Sequence, residues 1–312
     1  MKHRGNLSQA ENSIGNLPDL KNINMRADLR TRHLDALPWP SKFSDEEKKF
    51  HATACGIDTK SSLIAGAYLA KELSQLADIE RHLSICMGII ASSCGRSTFL
   101  AGSEISNALL HFAAEEYMHS NMFTRFVEIL TGQNFDLSHN TIDERIKVFQ
   151  GTESLESKLV ALVASAYPGE SVMTAMEQRL KHLDKKENYF LTKLFAAHGL
   201  DESRHIDFDH FIFDNLLPKL SAAELLDAQK LYSKIMIANR DLGNQYTVAI
   251  SGYFGFDFIT GNPIAQFQQE LTHQLSTEML KTTEKNRADS FLTAELKNQL
   301  IEFIFAKNIH FQ

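Results

Sequence analysis

Residues 195–210 read FAAHGLDESRHIDFDH, and their polar side chains stand where a helix would bury them. In a helix each residue advances about 100°, so positions i, i+3, i+4 and i+7 share a face. The apolar stripe enters through Leu191, Leu194 and Phe195 and leaves through Ile212, Phe213 and Leu216. Between those ends the same stripe holds His198, Glu202, His205 and Asp209. A buried charge or unpaired polar group is costly unless something satisfies it. This face therefore needs a partner from elsewhere in the fold.

Three other segments repeat the pattern. Leu109, Phe112 and Ala113 lead into Glu116 and His119, and Phe123, Val127 and Leu130 continue that face. Glu115 points about 100° away and is expected to be solvated or to stand behind the ligands. Leu73, Leu76 and Ala77 precede Glu80, and Leu83 and Met87 follow it. Val163, Ala166 and Tyr167 precede Glu170, with Pro168-Gly169 expected to bend the helix just before it. Glu80 lies 12 residues before Ser92 and Glu116 lies 13 after Ser103, so an antiparallel pair brings both to one height. Glu170 and Glu202 straddle the turn near Asp184–Glu187 in the same way. Four inward Glu at one level, two with His three residues later, match the carboxylate di-metal site of a four-helix bundle.

The whole chain agrees with an all-α fold. Few Gly and Pro, no Gly-rich loop after a strand and few β-branched runs leave helices to dominate its 312 residues. Helices are expected at about 58–92, 103–131, 153–182 and 187–217, then at 221–241, 263–287 and 293–306. Residues 1–43 are polar and read as an irregular N-terminal arm, and 44–312 as one domain. Ser44 with Glu47 three residues on is a capping-box signature. The net charge of −7 argues against a nucleic-acid partner. Three cysteines without CxxC spacing suggest neither a disulfide framework nor a zinc site. The first residues lack a signal peptide's apolar core, and ICMGIIASSC is about half a membrane span in length. A cytoplasmic protein with no membrane partner is expected.

A lone ExxH carries little weight, since a chain this long contains about one by chance at average composition. Glu270 and His273 form such a decoy, because the apolar face there is Leu271, Leu275 and Met279. Glu116/His119 or Glu202/His205 alone would read as a hydrogen-bonded core pair. Together with Glu80, Glu170 and His198 they read as metal ligands. Asp209 is expected behind them, as the acceptor that fixes the His205 tautomer. The remaining histidines, His82 among them, fall off the stripes and are expected at the surface or the core edge. Phe112, Phe123 and Phe195 are either substrate-pocket walls or plain core.

Taken in chain order, Glu80, Glu116 and His119 of EYMH, Glu170, and the HxxxExxH of HGLDESRH resemble the p-aminobenzoate N-oxygenase family of di-iron oxygenases. The likeness covers roughly residues 60–217, and His198 separates it from relatives with plain ExxH pairs. The resemblance implies a ferritin-like four-helix bundle core (about 58–217) with additional C-terminal helices. It implies two iron ions bridged by Glu116 and Glu202. His119 would serve one iron and His198 with His205 the other, with Glu80 and Glu170 completing the shells. Family members reduce O2 at the diferrous site to a peroxo-diferric intermediate, which oxygenates an amine through hydroxylamine toward nitroso or nitro products. Manganese tolerates the same ligand mix. The substrate would be a free or carrier-tethered amine, an arylamine or an amino-acid derivative, in secondary metabolism. No flavin or reductase motif is present, so electrons are expected from a separate donor, and a homodimer is expected by analogy. C-hydroxylation or desaturation at the same centre is the main alternative, with ferroxidase or iron storage behind it.

Overall fold

The computed structural model describes residues 13–30, 34–135, 137 and 139–256, and the described residues form helices without a strand. The helices are α1 (Pro18–Arg30), α2 (Asp45–Ala54), α3 (Ser62–Ala91), α4 (Ser103–Thr131), α5 (His139–Phe149), α6 (Leu155–Leu183), α7 (Phe190–Asn215) and α8 (Ala222–Phe254). The four long helices expected from the polar-centred stripes are α3, α4, α6 and α7. They pack chiefly as two pairs, α3 on α4 and α6 on α7. α8 lies along α3 and α6, and α1 lies across α4 and α7. The bundle is thus covered on two flanks. No helix among the described residues is long and apolar enough to cross a membrane.

Local chemistry sets the helix ends. The Ser154 hydroxyl accepts from the Ser157 amide at the start of α6. Ser221 and Glu224 form a reciprocal capping box on α8. Gly132 and Gly255 end α4 and α8 at φ 78° and 73°, where a Cβ would be strained. The capping box expected on α2 forms only in part. Ser44 Oγ accepts from the Glu47 amide at 3.1 Å. Glu47 Oε1 instead accepts from the Leu191 amide at 3.0 Å. α7 has no side-chain cap of its own at Tyr189, so α2 supplies one.

The irregular reading of residues 1–43 fails over 18–30. There Leu20, Ile23, Asn24 and Ala27 recur at helical spacing and are buried. Only this narrow stripe is apolar, which is why the composition hides the helix. α5 was likewise not anticipated. α6 runs without interruption through Pro168-Gly169, from Leu155 to Leu183. His82 is buried rather than at an edge, with its Nδ1 3.0 Å from Arg145 Nη1. The helix expected at 221–241 extends to Phe254. Those expected at 263–287 and 293–306, with the decoy pair Glu270/His273, lie outside the described residues.

The core divides in two. One apolar cluster gathers Leu83, Met87, Leu109, Phe112, Val163, Tyr167, Phe208 and Ile212 with their neighbours. The other gathers Leu73, Ala77, Phe123, Val127, Met173, Leu194 and Phe195 with theirs. Between them on every long helix stand the polar residues of the stripes. The apolar halves close a polar layer at mid-height.

Glu47→Ala is expected to destabilise the fold by about 1–3 kcal/mol at neutral pH, because it removes a charged acceptor from a buried amide. Burial raises the Glu47 carboxyl, but bonds from His51, Leu191 and Phe190 outweigh it and hold the group below its ordinary value. A lowered folded value means that its stabilisation is complete above the ordinary carboxylate range and disappears as pH falls through the folded value. Chemical denaturation of both proteins from neutral to acid pH checks this, and the difference should shrink on acidification.

Candidate metal centre

All seven expected ligands reach the layer between the apolar halves. Glu80 (α3), Glu116 and His119 (α4), Glu170 (α6), and His198, Glu202 and His205 (α7) are each no more than 5% exposed. Their donor atoms converge in three overlapping groups: Glu80/His119/His198, Glu116/His119/Glu202 and Glu116/Glu170/His205. Within each group the atoms lie within 4.8 Å of one another. Glu202 Oε1 is the hub, 3.3 Å from His198 Nε2, 3.4 Å from His205 Nδ1 and 3.5 Å from His119 Nδ1.

The grouping differs from the expected one in one respect. His198 sits with Glu80, its Nε2 3.1 Å from Glu80 Oε1, and with His119, whose ring centroid is 4.2 Å away. His205 stands apart from them, its Nδ1 2.9 Å from Glu116 Oε1. His198 comes nearly two helical turns before His205, which carries its ring toward α3 and the Glu80 side.

Behind the histidines is a second layer that the stripes did not reveal. His119 Nε2 lies 3.2 Å from Asp201 Oδ2, and His205 Nε2 lies 2.9 Å from Glu115 Oε2. Arg204 Nη2 joins both carboxylates, at 2.5 Å to Asp201 Oδ1 and in a short contact with Glu115 Oε1. Glu115 is therefore buried at 2% exposure and stands behind the ligands, the second of its two expected places, as the acceptor for His205. Asp209, expected in that role, is fully buried beside Glu170 instead. Sequence reasoning missed Asp201 and Arg204 because they lie off the apolar stripe. Their signal was adjacency: residues flanking an inward ligand on a helix covered by neighbours also face protein.

The electrostatics describe a site built for cations. Burial, reinforced by the Glu116 and Glu202 charges, pushes Glu80 well above the ordinary carboxylate range. Burial does the same to Glu170, reinforced by Asp209. Burial also acts on Glu202, but His198, His205 and His119 outweigh it and draw the carboxyl down to about 2. Burial lowers His198 to about 3. Among the described residues, Glu80 Oε2, both oxygens of Glu170 and of Asp209, and the Nδ1 atoms of His119 and His205 have no hydrogen-bond partner. The outer carboxylates engage both Nε2 atoms and so turn both Nδ1 atoms inward, as supporting carboxylates do for metal-binding histidines. Buried carboxylates mixed with imidazoles fit divalent first-row metals.

Three aromatic rings wall this layer. Phe112 stacks on His205 with centroids 3.7 Å apart, and Phe123 and Phe195 lie 5.1 and 6.5 Å from His198. All three are buried.

Comparison with known proteins follows from this geometry. No curated protein matches the chain. One solved structure, a mutant R2-like ligand-binding oxidase with an aerobically reconstituted Mn/Fe cofactor, aligns over 99% of both chains at 14% identity and a TM-score of 0.44. The model of the family described as P-aminobenzoate N-oxygenase AurF matches residues 93–253, just over half of the chain. That span holds every polar stripe residue named above except Glu80, which precedes it. The chain belongs to this P-aminobenzoate N-oxygenase AurF family of oxidoreductases.

Proposed function

We propose that the chain oxygenates the nitrogen of a small amine, using O2 and two iron ions held by Glu80, Glu116, His119, Glu170, His198, Glu202 and His205. The observation that carries this reading is the position of Glu202 Oε1, within 3.5 Å of three imidazoles from two helices. A carboxylate so placed would be available to both ions. Glu116, shared by two of the donor groups, is the second bridging candidate. Family membership supports the nitrogen as the site of oxidation.

Bound iron supplies the reduction of O2, which no side chain here performs alone. In the first step an amine, O2, two electrons and two protons give a hydroxylamine and water; repeating the oxidation leads toward nitroso and nitro products. The electrons come from a separate donor, because no side chain in the layer supplies them. The amine is free or carrier-tethered. The chain's own residues contribute placement and dryness. Phe112, Phe123 and Phe195 keep water from the histidine faces, so the fixed charges act in a low-dielectric setting. Glu115 and Asp201 hold His205 and His119 in one tautomer. Arg204 spans both carboxylates and offsets their charge, which makes it a positioning residue for both histidines.

Two outcomes follow. Glu202→Ala should lose both ions and all product, whereas the parent protein, given Fe(II), O2, a reductant and an arylamine, should yield an N-oxygenated product by mass spectrometry. Oxidation confined to C–H positions would replace this reading with hydroxylation or desaturation. Arg204→Gln should weaken both ions together, on the order of 10–100-fold by chelator competition. Weakening of one ion alone would remove the bridging role of Arg204.

A further inference from the structure

Among the described residues four cationic side chains are buried: Lys71, Arg145, Lys158 and Arg204. Three of them meet an oxygen of the protein. Lys71 Nζ lies 3.1 Å from Glu72 Oε1, Lys158 Nζ donates to the Gly151 carbonyl at 2.6 Å, and Arg204 meets Glu115 and Asp201. Arg145, on α5 and 6% exposed, meets only a nitrogen: its Nη1 lies 3.0 Å from His82 Nδ1 on α3. No acidic residue among the described ones forms an ion pair with it. Asp78, one turn before His82, reaches Arg145 only through its field. Its oxygens are engaged elsewhere, Oδ1 by Arg81 and Oδ2 by the Tyr246 hydroxyl at 2.5 Å.

A guanidinium can only donate, so His82 Nδ1 is the acceptor and the ring proton sits on Nε2. That Nε2 is buried and has no hydrogen-bond partner among the described residues. The pair therefore leaves donors over and offers them no oxygen. Arginine stays charged near neutral pH, and water satisfies its N–H groups without offsetting the charge. An unpaired charge in the interior is costly. What this place lacks is an anion.

We infer that Arg145 is the centre of a small-oxyanion site where α5 packs on α3 and α8. His82 fixes the guanidinium through Nη1 and leaves the edge formed by Nε and Nη2 to take two oxygens of one anion, the geometry by which arginine binds carboxylates and phosphates. The ligand is a small anion that presents two oxygens, a carboxylate or inorganic phosphate. Once bound, it ties α5 to α3, the helix that carries Glu80. The inference stands independently of the metal-binding reading.

Thermal melting of the full chain in Tris chloride, titrated with inorganic phosphate or with acetate at constant ionic strength, tests this. The melting temperature of the parent is expected to rise saturably, by about 2 °C at ten times the dissociation constant. Arg145→Gln should weaken that affinity about tenfold or more, and Arg145→Lys, which keeps the charge without the forked edge, should fall between the two. A rise with phosphate assigns the site to phosphate, and a rise with acetate to carboxylates. No rise above the chloride control would overturn the inference. An equal rise in Arg145→Gln would overturn it too, because the anion would then bind elsewhere, the metal layer included. Parent crystals soaked in selenate read the site without any variant: an anomalous peak against Arg145 is expected, and no peak there would overturn the assignment.

Discussion

The structure depends on one electrostatic constraint: carboxylates from all four long helices meet in a layer that water does not reach. Glu80, Glu116, Glu170, Glu202 and Asp209 are buried together, and the protein supplies only three imidazoles to face them. Removing one partner from a buried ionic group is strongly destabilising, so such a layer needs protons or cations to complete it. The rest of the molecule serves that layer. The two apolar clusters close it above and below, while α1 and α8 cover the flanks formed by α4 with α7 and by α3 with α6. Glu47 reaches from α2 to fix the start of α7, the helix that carries three of the seven expected ligands.

Two tiers of charge divide the work. The inner tier has unsatisfied atoms aimed at its centre, and the outer tier has almost none. Arg204 meets Glu115 and Asp201, which in turn hold the imidazoles on the two sides of the site. A change at Arg204 therefore reaches the imidazoles on both sides.

The inner tier was legible in the sequence because helical periodicity is a local property. Finding Glu80, Glu116, Glu170 and Glu202 on inward stripes required only the apolar residues one turn either side. The outer tier was not legible for a physical reason. Glu115, Asp201 and Arg204 lie off those stripes, and a helix lacking a further neighbour would expose them. α1, which lies across α4 and α7, was itself hidden, because its short stripe of Leu20, Ile23 and Ala27 is masked by polar residues. Periodicity left Glu115 either solvated or behind the ligands, and its bond to His205 gives it the second place. The separation of His198 from His205 is a matter of rotation between packed helices, which spacing within one helix does not determine.

The most direct test of the account is diffraction from crystals loaded anaerobically with Fe(II), measured at the iron absorption edge. The account predicts two anomalous peaks in the layer between the apolar clusters, both in contact with Glu202. A single peak, or peaks elsewhere on the molecule, would contradict it.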